Sequence, residues 1–121
     1  MKIQLTRESV AMGDDADAPH EIEFTIRDNA TVAEIIEIVF QERYLAQIGG
    51  GRATWSVVSR IPVAVLAQQW ASPKLLMPPA QFSELDFSAN ALRLHCAYHT
   101  QEDPDLKFEQ LQRLRSRNTQ R

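Results

Sequence analysis

The side chains best suited to chemistry stand together in HCAYH, where His95, Cys96 and His99 combine two imidazoles with the only thiol of the 121-residue chain. The surrounding ALRLHCAYH alternates apolar and polar residues, which predicts a strand whose successive side chains point to opposite faces. His95 and His99 would then share one face roughly 13 Å apart, too far to ligate one metal ion, and Cys96 would face the other way. We therefore expect no metal site, no cofactor and no catalytic residue here.

Three consecutive glycines, Gly49 to Gly51, form the second candidate motif, because glycine-rich loops often bind phosphate. Such loops precede a helix, whose amino terminus offers free amide hydrogens. Here the glycines follow a helical pattern, and the sequence contains neither of the phosphate-loop signatures G-x-G-x-x-G and G-x-x-x-x-G-K. We interpret Gly49 as the residue that ends the helix.

The acidic stretch GDDADAPH is the third candidate. Asp15 and Asp17 have the spacing of the first two ligands in a calcium-binding loop. Pro19 then follows where a ligand is expected, and His20 where the loop needs glycine. Turn-forming residues dominate this stretch, so we expect a solvated turn.

Composition narrows the possible functions. With 44% hydrophobic residues, 24% charged residues and a formal net charge of −3, the chain fits one globular domain without a strong field for nucleic acid. Arginines are concentrated near its end, but no stacking aromatic residues alternate with them. We assign these arginines to the C-terminal end of a helix and do not expect nucleic-acid binding.

The expected localisation is cytoplasmic. The stretch MKIQLTRESV alternates apolar and polar residues and does not form the apolar core of a signal peptide. No run of about eighteen apolar residues occurs, so no membrane span is expected. The single cysteine excludes an internal disulfide, which fits a reducing compartment.

The first half of the chain predicts a hairpin followed by a helix. MKIQL and EIEFTIRD both alternate with the period of a strand covered on one face. A capping box formed by Thr31 and Glu34 predicts a helix over residues 31–48. Its main apolar stripe should face the sheet and consists of Val32, Ile35, Ile36 and Val39. Ile38 and Leu45 form a thin second stripe on the flank.

The second half predicts a second hairpin, from RATWSVVS and PVAVLAQQW, and a final strand. Between them, residues 71–90 contain three prolines and predict a loop with one helical turn at FSELDF. The tail begins with Asp103 as the N-cap and Pro104 as the first helical residue. Its apolar edge, Phe108, Leu111 and Leu114, is too thin for an isolated helix, so it should dock on its own domain or form a homodimer.

This order of elements, with MKIQL, TVAEIIEIV and FSELDFSANALRLH, resembles the β-grasp or ubiquitin-like fold. The resemblance implies an α+β domain at residues 1–101, with a mixed five-stranded sheet on one main helix and its first and last strands parallel. Residues 102–121 would add an amphipathic helix and a basic tail. Members of this family act as tags, sulfur carriers or interaction modules. Tags and carriers need a C-terminal Gly-Gly tail, which SRNTQR does not provide.

We therefore expect a non-catalytic module that binds another protein. The apolar residues of a surface loop are its best candidate site, because aromatic and methionine side chains are enriched at binding surfaces. The expected contact residues in the loop are Trp70, Leu75 and Met77, and Ile38 and Leu45 add a flank on the main helix.

Two alternatives are of different kinds. A small acidic inhibitor, such as a toxin-neutralising immunity protein, would present acidic side chains to a basic active site. Those side chains are Asp14, Asp15, Asp17, Glu21 and Glu23. A small enzyme would instead use His95, Cys96 and His99.

Overall fold

Seven strands and two α-helices make up the part of the chain that the computed structural model describes, residues 1–8, 21–41, 53–99 and 102–119. The strands are β1 Lys2–Arg7, β2 Glu21–Thr25, β3 Thr54–Ser59, β4 Ile61–Ala67, β5 Lys74–Leu75, β6 Phe87–Ser88 and β7 Ala91–His99. The helices are α1 Val32–Gln41 and α2 Pro104–Thr119, and a 3₁₀ turn spans Phe82–Glu84. Three predictions concern residues outside the described part of the chain. They are the end of the first helix at Gly49, the turn in GDDADAPH, and the placement of Leu45.

The predicted first hairpin is confirmed. β1 and β2 pair antiparallel, with Ile3 opposite Phe24 and Leu5 opposite Ile22. Directly opposite residues share a face, so the alternation in both strands places these four side chains on one side. Ile3 and Leu5 are buried there, and Ile22 and Phe24 pack against the same core.

Helix α1 starts as the capping residues predict. The backbone N–H of Glu34 donates to Thr31 Oγ1 over 3.1 Å, which satisfies one of the free donors of the first turn. The Arg27 guanidinium pairs with the Glu34 carboxylate in the same turn. The predicted stripe of Val32, Ile35, Ile36 and Val39 is buried, and it joins the core of the sheet.

The second hairpin joins β3 to β4 through Arg60, whose φ of 63° lies in the left-handed region. Ser59 is paired with Ile61 across this turn, and the register shifts by one residue after Val57. This irregularity accommodates Pro62, which cannot donate a ladder hydrogen bond.

β7 lies at the centre of the sheet. It pairs parallel with β1 and antiparallel with β3, and the strand order is β2-β1-β7-β3-β4-β5, with β6 also pairing with β7. The parallel pairing of the first and last strands is therefore confirmed. The chain is an α+β protein with a mixed sheet.

The expectation of five strands was wrong, because residues 71–90 contribute two short strands. Lys74 and Leu75 pair with Val65 and Ala64, which adds β5 to the free edge of β4. β6 is joined to β7 by Ala89 and Asn90, which both have positive φ, the geometry of a tight hairpin turn. Strands of two residues are too short for alternation to reveal them. The predicted helical turn in FSELDF is confirmed as the 3₁₀ turn.

The two helices lie on opposite faces of the sheet. Trp55 and Val57 of β3 belong to the core with α1, so Thr54 and Ser56, which alternate with them, face the other side. Thr54 Oγ1 donates to the carbonyl of Glu102, directly before α2, over 2.9 Å. α2 therefore docks on its own chain and covers this second face at β4.

We expect Ile36→Ala to lower the free energy of unfolding by about 2–5 kcal/mol, because it leaves a cavity between α1 and the sheet. Ile38→Ala, on the half-buried flank of the same helix, is the matched control and should cause a clearly smaller loss. Denaturant unfolding measures both. Equal losses would contradict the placement of the stripe.

Candidate functional site

The candidate site is built where α2 meets the loop after β4. Asp103 caps the helix, because its Oδ1 accepts from the backbone N–H of Asp105 over 2.8 Å, and Pro104 is buried at the first helical position. The predicted start of α2 is therefore confirmed. The cap fixes where the helix begins.

The face of α2 toward the sheet differs from the predicted edge at its far end. Phe108 and Leu111 are half-buried, but Leu114 is 45% exposed and Arg115 is only 2% exposed. Residues 104, 108, 111 and 115 recur at intervals of four, three and four, which places them on one helical face. Arg115 lies near the end of α2, as predicted, but its side chain faces the sheet, which the sequence analysis did not predict.

Arg115 binds two backbone carbonyls that belong to different segments. Its Nη1 donates to the carbonyl of Pro62 in β4 over 2.8 Å, and its Nη2 donates to the carbonyl of Pro78. A buried guanidinium requires such acceptors, since an unsatisfied buried charge is strongly unfavourable. Arg115 thus links α2, β4 and the loop.

Gln112 holds the same loop one turn earlier. Its Oε1 accepts from the backbone N–H of Met77 over 2.8 Å, and its Nε2 donates to the Met77 carbonyl. Both backbone groups of Met77 are therefore fixed by one side-chain amide.

Lys74 completes the contact at the start of α2. Its ammonium lies 3.3 Å from Asp105 Oδ1 and 4.5 Å from the centre of the Trp70 ring, and it is 5.8 Å from that of Phe108. One cation thus bridges an aromatic residue of the loop and one of the helix.

The predicted contact residues are placed differently from one another. Trp70 is half-buried beside Lys74, Leu75 packs against the core, and Ile38 is half-buried on α1. Met77 is 55% exposed. Of the loop residues predicted as contacts, Met77 is therefore the one most available to another molecule.

Met77 belongs to a short exposed segment, residues 77–79, which we name the apolar ridge. Met77, Pro78 and Pro79 are all exposed, whereas Leu76 before them and Ala80 after them are buried. The bonds from Gln112 and Arg115 hold the backbone at Met77 and Pro78, and the ridge is flanked by buried Leu76 and Ala80. The ridge is a preformed apolar surface.

The structure does not bring His95, Cys96 and His99 together. Cys96 is buried in the core, on the opposite face from both histidines, and burial raises the pKa of its thiol to about 12. His95 Nδ1 lies 2.7 Å from Thr6 Oγ1. Within the described residues, no group of three or more histidine, cysteine or acidic side chains could hold a metal ion.

His99 instead joins a polar chain that the sequence did not predict. Its Nε2 lies 2.8 Å from Ser56 Oγ, and its Nδ1 lies 3.4 Å from Glu102 Oε2. A serine, a histidine and a carboxylate in this order also form the catalytic triad of serine hydrolases. Ser56 is buried, however, so its hydroxyl is not open to a substrate. The contacts from Ser56 through His99 to Glu102 fasten the segment before α2 to the sheet.

The surroundings of His99 oppose its protonation. Burial lowers its pKa, and the Lys107 ammonium lowers the pKa further, while the carboxylates of Glu102 and Glu8 act in the other direction. Neutral His99 is thus the form that the folded protein favours.

No protein-family model, curated protein or solved structure matches the chain. Among the helices described, none combines the length and the apolar character needed to cross a bilayer.

We expect Arg115→Met to lower the free energy of unfolding by about 2 kcal/mol or more, because the carbonyls of Pro62 and Pro78 lose the donor that links them to α2. Arg113→Met, on the exposed face of the same helix, is the control and should change stability by no more than about 0.5 kcal/mol. Denaturant unfolding followed by circular dichroism provides the measurement. Similar effects of the two substitutions would show that Arg115 does not fasten the helix.

We also expect an acid-sensitive contribution from His99. Because its pKa in the folded protein lies below the ordinary value of 6.5, the unfolded chain binds the proton more readily, and stability falls as the pH drops below 6.5. His99→Gln should therefore lose less stability than the wild type between about pH 7.5 and about pH 5.5.

Proton NMR of the His99 ring tests the cause of this acid sensitivity directly. A midpoint at or above 6.5 would contradict the inferred environment.

Proposed function

We propose that the chain is a non-catalytic protein-binding module with a β-grasp core, and that the apolar ridge is its principal contact. The β-grasp assignment is supported by the parallel pairing of β1 with β7 and by α1 on one face of the mixed sheet. The absence of an enzymatic role is supported by the burial of Cys96 and Ser56, the two candidate nucleophiles near the histidines.

The observation that carries the proposal is the fixed backbone of the ridge. Three successive apolar residues are exposed, and Gln112 and Arg115 bind backbone groups of Met77 and Pro78. A surface that is already ordered loses little conformational entropy on binding. Exposed methionine at such a position is typical of contact surfaces, because its flexible thioether adapts to an apolar pocket.

The ridge also indicates the chemistry of the partner. Met77, Pro78 and Pro79 carry no side-chain charge, so the complementary surface is a shallow apolar pocket. Binding through it should depend weakly on salt. The inhibitor alternative requires strong salt dependence, with exposed Glu21 and Glu23 on β2 as its described contacts. Asp14, Asp15 and Asp17 lie outside the described residues.

The test compares two exposed apolar side chains. Met77→Glu should weaken the complex with a partner captured by the wild-type protein at least about tenfold, because it places a charge in an apolar pocket. Leu106→Glu is the matched control, since Leu106 is 64% exposed on α2 and makes no contribution to the ridge. The affinity should be measured by calorimetry at low and high salt.

Three outcomes would refute the proposal. They are equal affinity for Met77→Glu and the wild type, an equal loss for Leu106→Glu, and binding that disappears at high salt in the wild type.

A further inference from the structure

A second surface feature is a hollow of about 300 Å³ on the side of the sheet away from α1. It is bordered by the turn between β3 and β4, by the residue before β6, and by β1 and β7. The polar side chains that line it are Gln4, Thr6, Ser59, Arg60, Asp86, Arg93 and His95. Its volume is at the lower end of the range for small-molecule sites.

Two of its basic side chains are held in place. Arg93 Nη1 donates to Gln4 Oε1, and Arg93 Nε donates to the carbonyl of Ser88 over 3.4 Å. His95 Nδ1 lies 2.7 Å from Thr6 Oγ1. These bonds leave the second terminal nitrogen of Arg93 and Nε2 of His95 for a ligand, since a guanidinium has five N–H donors and an imidazole has two nitrogens.

Arg60 is the third basic side chain, and its backbone is unusual. Its φ of 63° is a conformation in which glycine or asparagine is far easier to accommodate than a long side chain. The side chain is exposed, and it has no hydrogen bond or ion pair with any residue in the described part of the chain. The turn therefore places an unengaged guanidinium at a position where the backbone disfavours arginine.

Asp86 provides the only acidic side chain among those lining the hollow within the described residues. Its backbone N–H donates to Ser59 Oγ over 2.8 Å, and Ser59 Oγ donates to the carbonyl of Arg93 over 2.7 Å. One serine thus joins Asp86 to the strand that carries Arg93. Two guanidiniums against one carboxylate leave the hollow positive, with one strong acceptor beside the cations.

We propose that this hollow binds a small phosphomonoester that also carries hydroxyl groups. The guanidiniums of Arg60 and Arg93 match the charge and the oxygens of a phosphate, and His95 Nε2 adds a third polar contact. Asp86 accepts a hydrogen bond from a ligand hydroxyl, a group that inorganic phosphate alone does not supply in the same position. The site shares no residue with the apolar ridge, so it is independent of the proposed function.

Arg60→Gly provides the sharpest test, because glycine accepts the positive φ and removes the cation. We expect the affinity for glucose 6-phosphate at low salt to fall at least tenfold in this variant, with thermal stability equal to the wild type or higher. Arg113→Gln, which removes one positive charge from the exposed face of α2, should leave the affinity unchanged. Inorganic phosphate should bind the wild type more weakly than glucose 6-phosphate. NMR titration measures each affinity.

Several results would overturn the proposal. They are unchanged affinity in Arg60→Gly, an equal loss in Arg113→Gln, which would indicate a general charge effect, and equal binding of glucose and glucose 6-phosphate. Tighter binding of a single-stranded oligonucleotide that also depends on Arg60 would replace the small ligand with nucleic acid. Should Arg60→Gly not fold, Arg60→Asn serves the same purpose, since asparagine also tolerates this φ.

Discussion

The position of β7 between β1 and β3 is the constraint on which the rest of the molecule depends. Residues 91–96 of β7 pair with β1, and residues 95–99 pair with β3. The alternation along the strand sends Leu92, Leu94 and Cys96 to the core and Arg93, His95 and His99 to the other face. A shift of one residue would exchange these two sets and bury the charged one. The apolar core thus fixes the register of β7, and the register in turn fixes the face on which its polar side chains lie.

The second face is closed in a different way from the first. α1 covers its side with a continuous apolar stripe, as a helix on a sheet usually does. Among residues 104–115 of α2, the apolar side chains toward the sheet are those of Pro104, Phe108 and Leu111. The attachment of the helix relies on directed bonds made by Arg115, Gln112 and Lys74. Hydrogen bonds of this kind fix one orientation, whereas an apolar contact of that small area would allow several.

Features that depend on neighbours along the chain could be predicted from the sequence. The alternation of MKIQL and EIEFT, the Thr31 cap and the stripe of α1 are local, and all three are present in the structure. The pairing of β1 with β7 could be predicted only through a fold resemblance, because its partners are far apart in sequence.

The features that were missed join residues far apart in the chain. Ser56 meets His99 across 43 positions, and Arg115 meets Pro62 across 53. Neither pair leaves a periodic trace in its own segment. One signal was available for Arg115, because the spacing from Phe108 and Leu111 places it on the same helical face. It was missed because a charged residue near a helix end has a simpler explanation.

The two hydrogen bonds between Gln112 and the backbone of Met77 couple the order of the loop to the docking of α2. α2 supplies the bonds that hold the backbone at Met77 and Pro78, so a ligand that needs this ordered backbone would also favour the docked helix. Linkage makes this effect reciprocal: a ligand of the loop and the attachment of α2 strengthen one another by the same factor. A chain end that looks like an appendage would then govern an affinity measured at a loop some thirty-five positions away.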